Sequence, residues 1–167
     1  PFWAKGVPPK LSTINARVET IATAATYRTP WKRGQRCILP ATGFYEWQVR
    51  ESGKQPWYIT PSDEPFFALA GLFEAWRPDA AAEWLLTCCV ITTAPNALMA
   101  PIHDRMPVIV PREHWAAWLS REPAEPTAIA ERLASYPAER MRAWAVSRSV
   151  NRGSAEGEDL TDPIDPG

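Results

Sequence analysis

Ile102-His103-Asp104-Arg105-Met106-Pro107 sets an imidazole, a carboxylate and a guanidinium side by side in a chain with only two histidines. Imidazole titrates near neutrality, so His103 is the strongest general acid/base candidate, with Asp104 or Arg105 available to orient it. The competing reading is a hydrogen-bonded structural histidine. Gly43-Phe44-Tyr45-Glu46-Trp47 places a carboxylate in a strand-like apolar run. Alternation sets Glu46 opposite Tyr45 and Trp47, on the face of Phe44. A carboxylate partly desolvated there has a raised pKa and can exchange protons; one that faces water does not. Asn15-Ala16-Arg17-Val18-Glu19 is the third such segment. In a strand, Asn15, Arg17 and Glu19 share a face. Arg17 offers a fork suited to phosphate or carboxylate, and Asn15 both donates and accepts. The alternative is an exposed Arg–Glu pair with Asn15 as a cap.

Other chemistries find little support. Cys37, Cys88 and Cys89 form no CxxC, and each sits in an apolar run, the usual setting of a small buried hydrophobe in a reducing compartment. His114 lies beside Trp115 in an amphipathic segment and is expected to be structural or exposed. Two histidines without cysteine pairs make no zinc site, and neither GxGxxG nor GxxxxGK[ST] occurs, so no metal and no cofactor are expected. No 18-residue apolar run or signal-peptide pattern is present, which points to a cytoplasmic protein without a membrane partner.

The elements that must position these groups are short. Eighteen prolines in 167 residues favour brief strands and rigid turns over long helices. Strands are expected at 36–39, 43–49, 57–60, 67–75, 85–92 and 141–146, with a short one at 108–110. Gly71 marks a bulge or a close backbone contact. Helices are expected at 111–119, where Trp115, Trp118 and Leu119 recur at helical spacing, and at 127–134. A shorter one around Glu19 to Thr26 would be stopped by Pro30. The fold class is therefore α+β: a mainly β single domain with a partly closed, barrel-like sheet system and peripheral helices.

Charge is uneven. Residues 1–60 hold nine Lys and Arg against three acids, a local +6, with Trp3, Trp31, Trp47 and Trp57 among them. Basic side chains with interleaved aromatics suit nucleic acid; a solvated surface over core tryptophans is the plainer reading.

Seven ordered segments resemble the SRAP domain, the SOS response-associated peptidase family. They are Pro1-Phe2-Trp3-Ala4-Lys5, Asn15 to Thr20, Arg36 to Trp47, Phe67 to Glu74, Thr92 to Asn96, Ile102 to Ile109, and Val146-Ser147 with Val150-Asn151. The resemblance implies a β-rich domain over residues 1–152, followed by a polar acidic tail, 153–167. It implies a monomer that binds single-stranded DNA and handles abasic sites. In the family, a cysteine at the mature N-terminus attacks the aldehyde of the ring-opened sugar. Its α-amine joins in, and a thiazolidine crosslink results. Carried onto this chain, Asn15 orients the sugar and Arg17 binds phosphate, with Trp3 as a second DNA contact. Glu46 moves protons around the amine, and His103 assists ring opening, crosslink reversal or strand cleavage. The family's Cys-Gly-Arg opening is not among these residues, so the domain is expected to be N-terminally incomplete. The family name implies an alternative, a thiol autopeptidase or peptidase. A further alternative is a non-catalytic single-stranded DNA-binding module.

Overall fold

The computed structural model describes residue 4 and residues 12–120 and 136–166. Among the described residues eight strands and two α-helices run in the order β1 (Asn15–Arg17), α1 (Arg28–Lys32), β2 (Arg36–Ala41), β3 (Phe44–Arg50), β4 (Gly53–Pro61), β5 (Phe67–Trp76), β6 (Leu85–Thr93), β7 (Met106–Pro107), α2 (Trp115–Leu119) and β8 (Met141–Ala145). Strands dominate, as the alternating runs require. They form two open sheets rather than a closing barrel, one of order β1-β6-β5-β2 with β7 beside β6, the other β3-β4-β8. The chain divides into two compact units: Pro1–Leu39 with Ala68–Thr93 and Pro107–Tyr136, and Pro40–Phe67 with Ala94–Met106 and Pro137–Gly167.

In the first unit β1 runs parallel to β6, pairing Ala16 with Ile91, while β5 and β6 are antiparallel. Alternation sends Ala70 and Leu72 of β5, with Cys89 and Ile91 of β6, into a core that also takes Ala16, Ile21, Trp31, Val108, Val110 and Trp118. Gly71 is a close backbone contact, as expected. A Cβ there would meet the Leu39 side chain, the Cys89 carbonyl oxygen at 2.8 Å and Cys37 Sγ at 2.9 Å. Alternation also separates the adjacent cysteines: Cys89 is buried and Cys88, expected inside, is exposed on the other face.

Arg36 departs from its expected surface role. It is buried, and its Nε donates to the Trp118 carbonyl at 2.7 Å while its Nη2 donates to that of Ser120. These carbonyls lie at the C-terminal end of α2, where helix oxygens lack intrahelical donors and a cation is favoured.

The helix expected around Glu19 to Thr26 is replaced by turns, with Ala24 N–H on the Thr20 carbonyl and Tyr27 N–H on that of Ala24. Thr20, Ile21, Thr23 and Thr26 are β-branched and poor helix formers. The helix forms instead at Arg28–Lys32 and contains Pro30, whose missing N–H costs nothing in a first turn. Residues 112–114 are a 3₁₀ turn that leads into α2, and Leu119 remains exposed while Trp118 is buried. The expected strand at 108–110 is reduced to one bridge, Leu69 to Ile109, beside β7. The expected helix at 127–134 lies outside the described residues.

In the second unit β4 pairs antiparallel with both β3 and β8. One sheet face carries Tyr45, Tyr58 and Trp144, with ring centroids 5.2 and 5.5 Å apart in sequence across the strands. Gly43 lets β3 begin against β4, since a Cβ would collide with the Tyr58 ring and the Ile59 carbonyl. The acidic stretch after residue 152, set apart on composition, lies along β8. Val146 bridges Pro163, Ile164 N–H reaches the Ala145 carbonyl at 2.9 Å, and the Trp144 indole donates to Thr161 at 2.7 Å.

Gly71→Ala should destabilise the protein by about 1–3 kcal/mol, the usual cost of overpacking, because backbone and two side chains surround the site. Urea denaturation measures this. An unchanged midpoint would show that the β5 backbone is not closely packed.

Candidate active site

Glu46 and His103 come together in the second unit. Glu46 is the third residue of β3, paired with Trp57 of β4. Its Oε2 lies 3.8 Å from His103 Nε2. The Glu46 side chain keeps 22% of its exposure and that of His103 37%, so each is shielded while still reachable. Burial pushes the Glu46 carboxyl above its ordinary value. The His103 imidazole and the Trp47 backbone N–H partly offset this, and Asp104 adds to it. The water-facing reading of Glu46 therefore gives way to the desolvated one.

His103 is presented by a loop with its own hydrogen bonds. Asn96, buried, accepts from the Met99 N–H on its side-chain oxygen at 3.0 Å, and its carbonyl takes the Ala100 N–H. The Met99 carbonyl then accepts from both Ile102 and His103. Arg105 N–H donates to His103 Nδ1 at 3.0 Å. An Nδ1 that accepts leaves the neutral ring's proton on Nε2, the nitrogen that faces Glu46. When the ring is protonated, Asp104 Oδ1 at 3.2 Å and the Arg105 carbonyl at 3.2 Å are acceptors for Nδ1–H. A hydrogen bond across the 3.8 Å gap needs a small closure or one bridging water, as is common for acid/base groups without substrate.

Asn15 and Arg17 lie in the first unit, on β1. Both are exposed and share one strand face, while Ala16 between them is fully buried. The Asn15 carbonyl accepts from the Tyr27 hydroxyl at 2.9 Å, which fixes the strand's start. Glu19 falls beyond β1 in a turn, so it does not extend that face. Trp3 lies outside the described residues. The basic residues expected to form one surface fall in both units, with Arg36 interior. Trp31 is a core residue, and the Trp47 and Trp57 indoles donate to Asn151 and Gln48. Burial pushes the Cys37 thiol up to about 11, far from a reactive thiolate. Among the described residues no cluster of three or more His, Cys, Asp or Glu is placed to hold a metal, and no helix is long and apolar enough to cross a membrane.

Of two residues that frame the pair, Gln48 was not singled out in the sequence, and Asn96 only as the end of the Thr92 to Asn96 run. Asn96 follows a proline and opens a turn, the usual signal of side-chain capping. Gln48 lies two positions after Glu46, hence on the same strand face.

Fold and site together define a β-rich protein in which a half-buried carboxylate and an imidazole lie 3.8 Å apart. The chain belongs to the SOS response associated peptidase (SRAP) family, whose pattern matches residues 1–153. It is similar to "Abasic site processing protein YoaM" of Bacillus subtilis, with 40% identity over 97% of this chain and 71% of that protein. It is also similar to "Abasic site processing protein YedK" of Escherichia coli, 34% identical over 98% of this chain and 73% of that one. "Abasic site processing protein HMCES" of Gallus gallus is 33% identical over the whole of this chain and 56% of its own length. A crystal structure of a Bacteroides thetaiotaomicron protein superposes with a TM-score of 0.85 at 29% identity, covering 98% of this chain and 73% of that one.

The raised Glu46 carboxyl has a consequence for stability. The folded state holds this proton more tightly than the unfolded chain, so the stability it contributes is complete below about 4.5 and is lost as pH rises through the raised value. Glu46→Gln should therefore melt above the wild type at about pH 8 and show no advantage at about pH 4. Calorimetry at both pH values checks this; equal melting points at pH 8 would mean that the carboxylate is well solvated.

Proposed function

We propose that this protein processes abasic sites in single-stranded DNA by covalent capture of the ring-opened sugar. The observation that carries the reading is the desolvated Glu46 carboxyl 3.8 Å from His103 in a chain of the SRAP family. An aldehyde and a 1,2-aminothiol condense to a thiazolidine with loss of one water. The amine must lose a proton as it adds to the aldehyde, and the carbinolamine hydroxyl must gain one to leave. Glu46 as base and His103 as acid supply these transfers. Asn15 orients the sugar, and Arg17 takes a phosphate in its guanidinium fork. The aminothiol is the family's N-terminal cysteine. Cys37, Cys88 and Cys89 are internal and lack an adjacent α-amine.

The family description favours a second reading, a thiol autopeptidase in which the same pair serves self-processing that frees the cysteine amine. The readings separate in the test tube. Capture of abasic single-stranded DNA supports the first, and turnover of unrelated peptides the second. Salt-sensitive binding without a covalent product would leave a DNA-binding module.

Mass spectrometry after exposure to an abasic oligonucleotide is the test. Residues 1–167 alone should form no thiazolidine. The same residues preceded by a family-type segment that begins with cysteine should form an adduct at that cysteine, abolished by serine in its place. An adduct on Cys37, Cys88 or Cys89 would overturn the assignment. In the extended protein Glu46→Gln or His103→Ala should slow capture about 10²–10⁴-fold, the usual weight of general acid/base assistance.

Arg17 is tested by salt. Arg17→Ala should weaken binding of single strands of any sequence and reduce the log–log salt slope by about 0.7, one phosphate contact. An unchanged slope would remove Arg17 from the DNA interface.

A further inference from the structure

We propose that Gln48 is a positioning residue that sets the separation of Glu46 and His103 by tethering the His103 loop to the strand that carries Glu46. Strand alternation puts Gln48 on the Glu46 face of β3, one repeat along. Its Oε1 accepts from two fixed donors, Arg50 Nε at 2.8 Å and Trp57 Nε1 at 3.1 Å. Both belong to the β3–β4 ladder: Arg50 pairs with Gly53, and Trp57 pairs with Glu46 itself. Two donors on one oxygen decide which way the amide faces. The NH₂ group is then aimed away from the ladder, and Nε2 donates to the Pro101 carbonyl at 2.8 Å.

Pro101 stands two residues before His103, in the turn built on Asn96 and Met99. That turn is internally bonded from Asn96 to Arg105, so it behaves as one piece. A bond to the Pro101 carbonyl therefore locates the imidazole as well. The tether spans the same two segments as the Glu46–His103 contact, at 2.8 Å against 3.8 Å. It is the shorter, better-formed link, and it touches neither reacting group. A glutamine suits the task because it accepts on one side and donates on the other without adding a charge beside Glu46.

The effect on rate rests on the abasic-site reading; the effect on coupling between the two groups does not. The experiment is a double-mutant cycle read by ¹³C NMR titration of the Glu46 carboxyl in the full chain. In the wild-type background, His103→Asn should raise the Glu46 midpoint, because the imidazolium that lowers it is gone. In Gln48→Met, which removes the tether, the increase caused by His103→Asn should shrink by about half or more. Gln48→Glu is the second variant. It keeps the acceptor for Arg50 and Trp57 and loses only the donor to Pro101. Its carboxylate ionises over the same range as Glu46, so the comparison is made on the Glu46 resonance alone, with and without His103, in that same background. It should reduce the coupling as Gln48→Met does.

Undiminished coupling in a folded variant overturns the proposal. If neither variant folds, Gln48 is a structural residue and the proposal also fails. In the cysteine-extended protein, either variant should slow abasic-site capture about tenfold to a hundredfold. Lost coupling in a protein that never captures abasic DNA would uphold the positioning role and refute the function instead.

Discussion

A partly buried carboxylate on a β-strand carries a desolvation cost, and β3, an edge strand of its sheet, arranges the offset. The strand's period of two divides the second unit's sheet into unlike faces. Tyr45, Tyr58 and Trp144 fill one with aromatic surface. The other holds Glu46 and Gln48, whose polar atoms find partners in His103, Trp57, Arg50 and Pro101. A one-residue slip in register would exchange the faces, placing Glu46 among the rings and the rings at the loop. The β3–β4 pairing from Phe44–Ile59 to Arg50–Gly53 excludes that slip over seven residue pairs. Register is thus the constraint from which the site's chemistry follows.

The remaining polar groups show the same economy. Arg36 lies in an apolar strand, yet its guanidinium meets the carbonyls at the end of α2, which need donors. Asn96 is buried, yet its side chain closes the turn that carries His103. In both places a polar side chain supplies a missing backbone partner, as buried backbone groups require. Rigidity at the His103 loop comes from these bonds, since the loop has no sheet ladder of its own.

Much of this was legible in the sequence because it is local. Alternating runs located β2 to β6 and β8, and the same alternation placed Glu46 on a face away from Tyr45 and Trp47. Gly71 signalled its close contact. What failed was also local in appearance but decided at a distance. The Ala- and Thr-rich segment after Glu19 reads as helix, yet Ile21 is drawn into the core and turns form around it. Arg36 counts as surface charge until α2 is folded beside it. Cys88 matches Cys89 in sequence and differs from it only by the strand's pleat. The meeting of Glu46 with His103 could be expected from chemistry but not measured, because spacing along a chain carries no distance between strand and loop. Gln48 had a signal, its position two residues after Glu46. Its meaning required knowing that Pro101 would lie within reach.

The proposed function makes Glu46 and His103 a coupled proton-transfer pair, with the carboxyl raised by burial and lowered by the imidazole. The most direct measurement is the pH dependence of the rate of abasic-site capture by the cysteine-extended protein. An acid limb is expected with a midpoint above the ordinary carboxyl value of 4.5. His103→Asn should move this limb to higher pH, because removal of the imidazolium raises the Glu46 carboxyl further. A limb at or below 4.5, or one indifferent to His103, would contradict it.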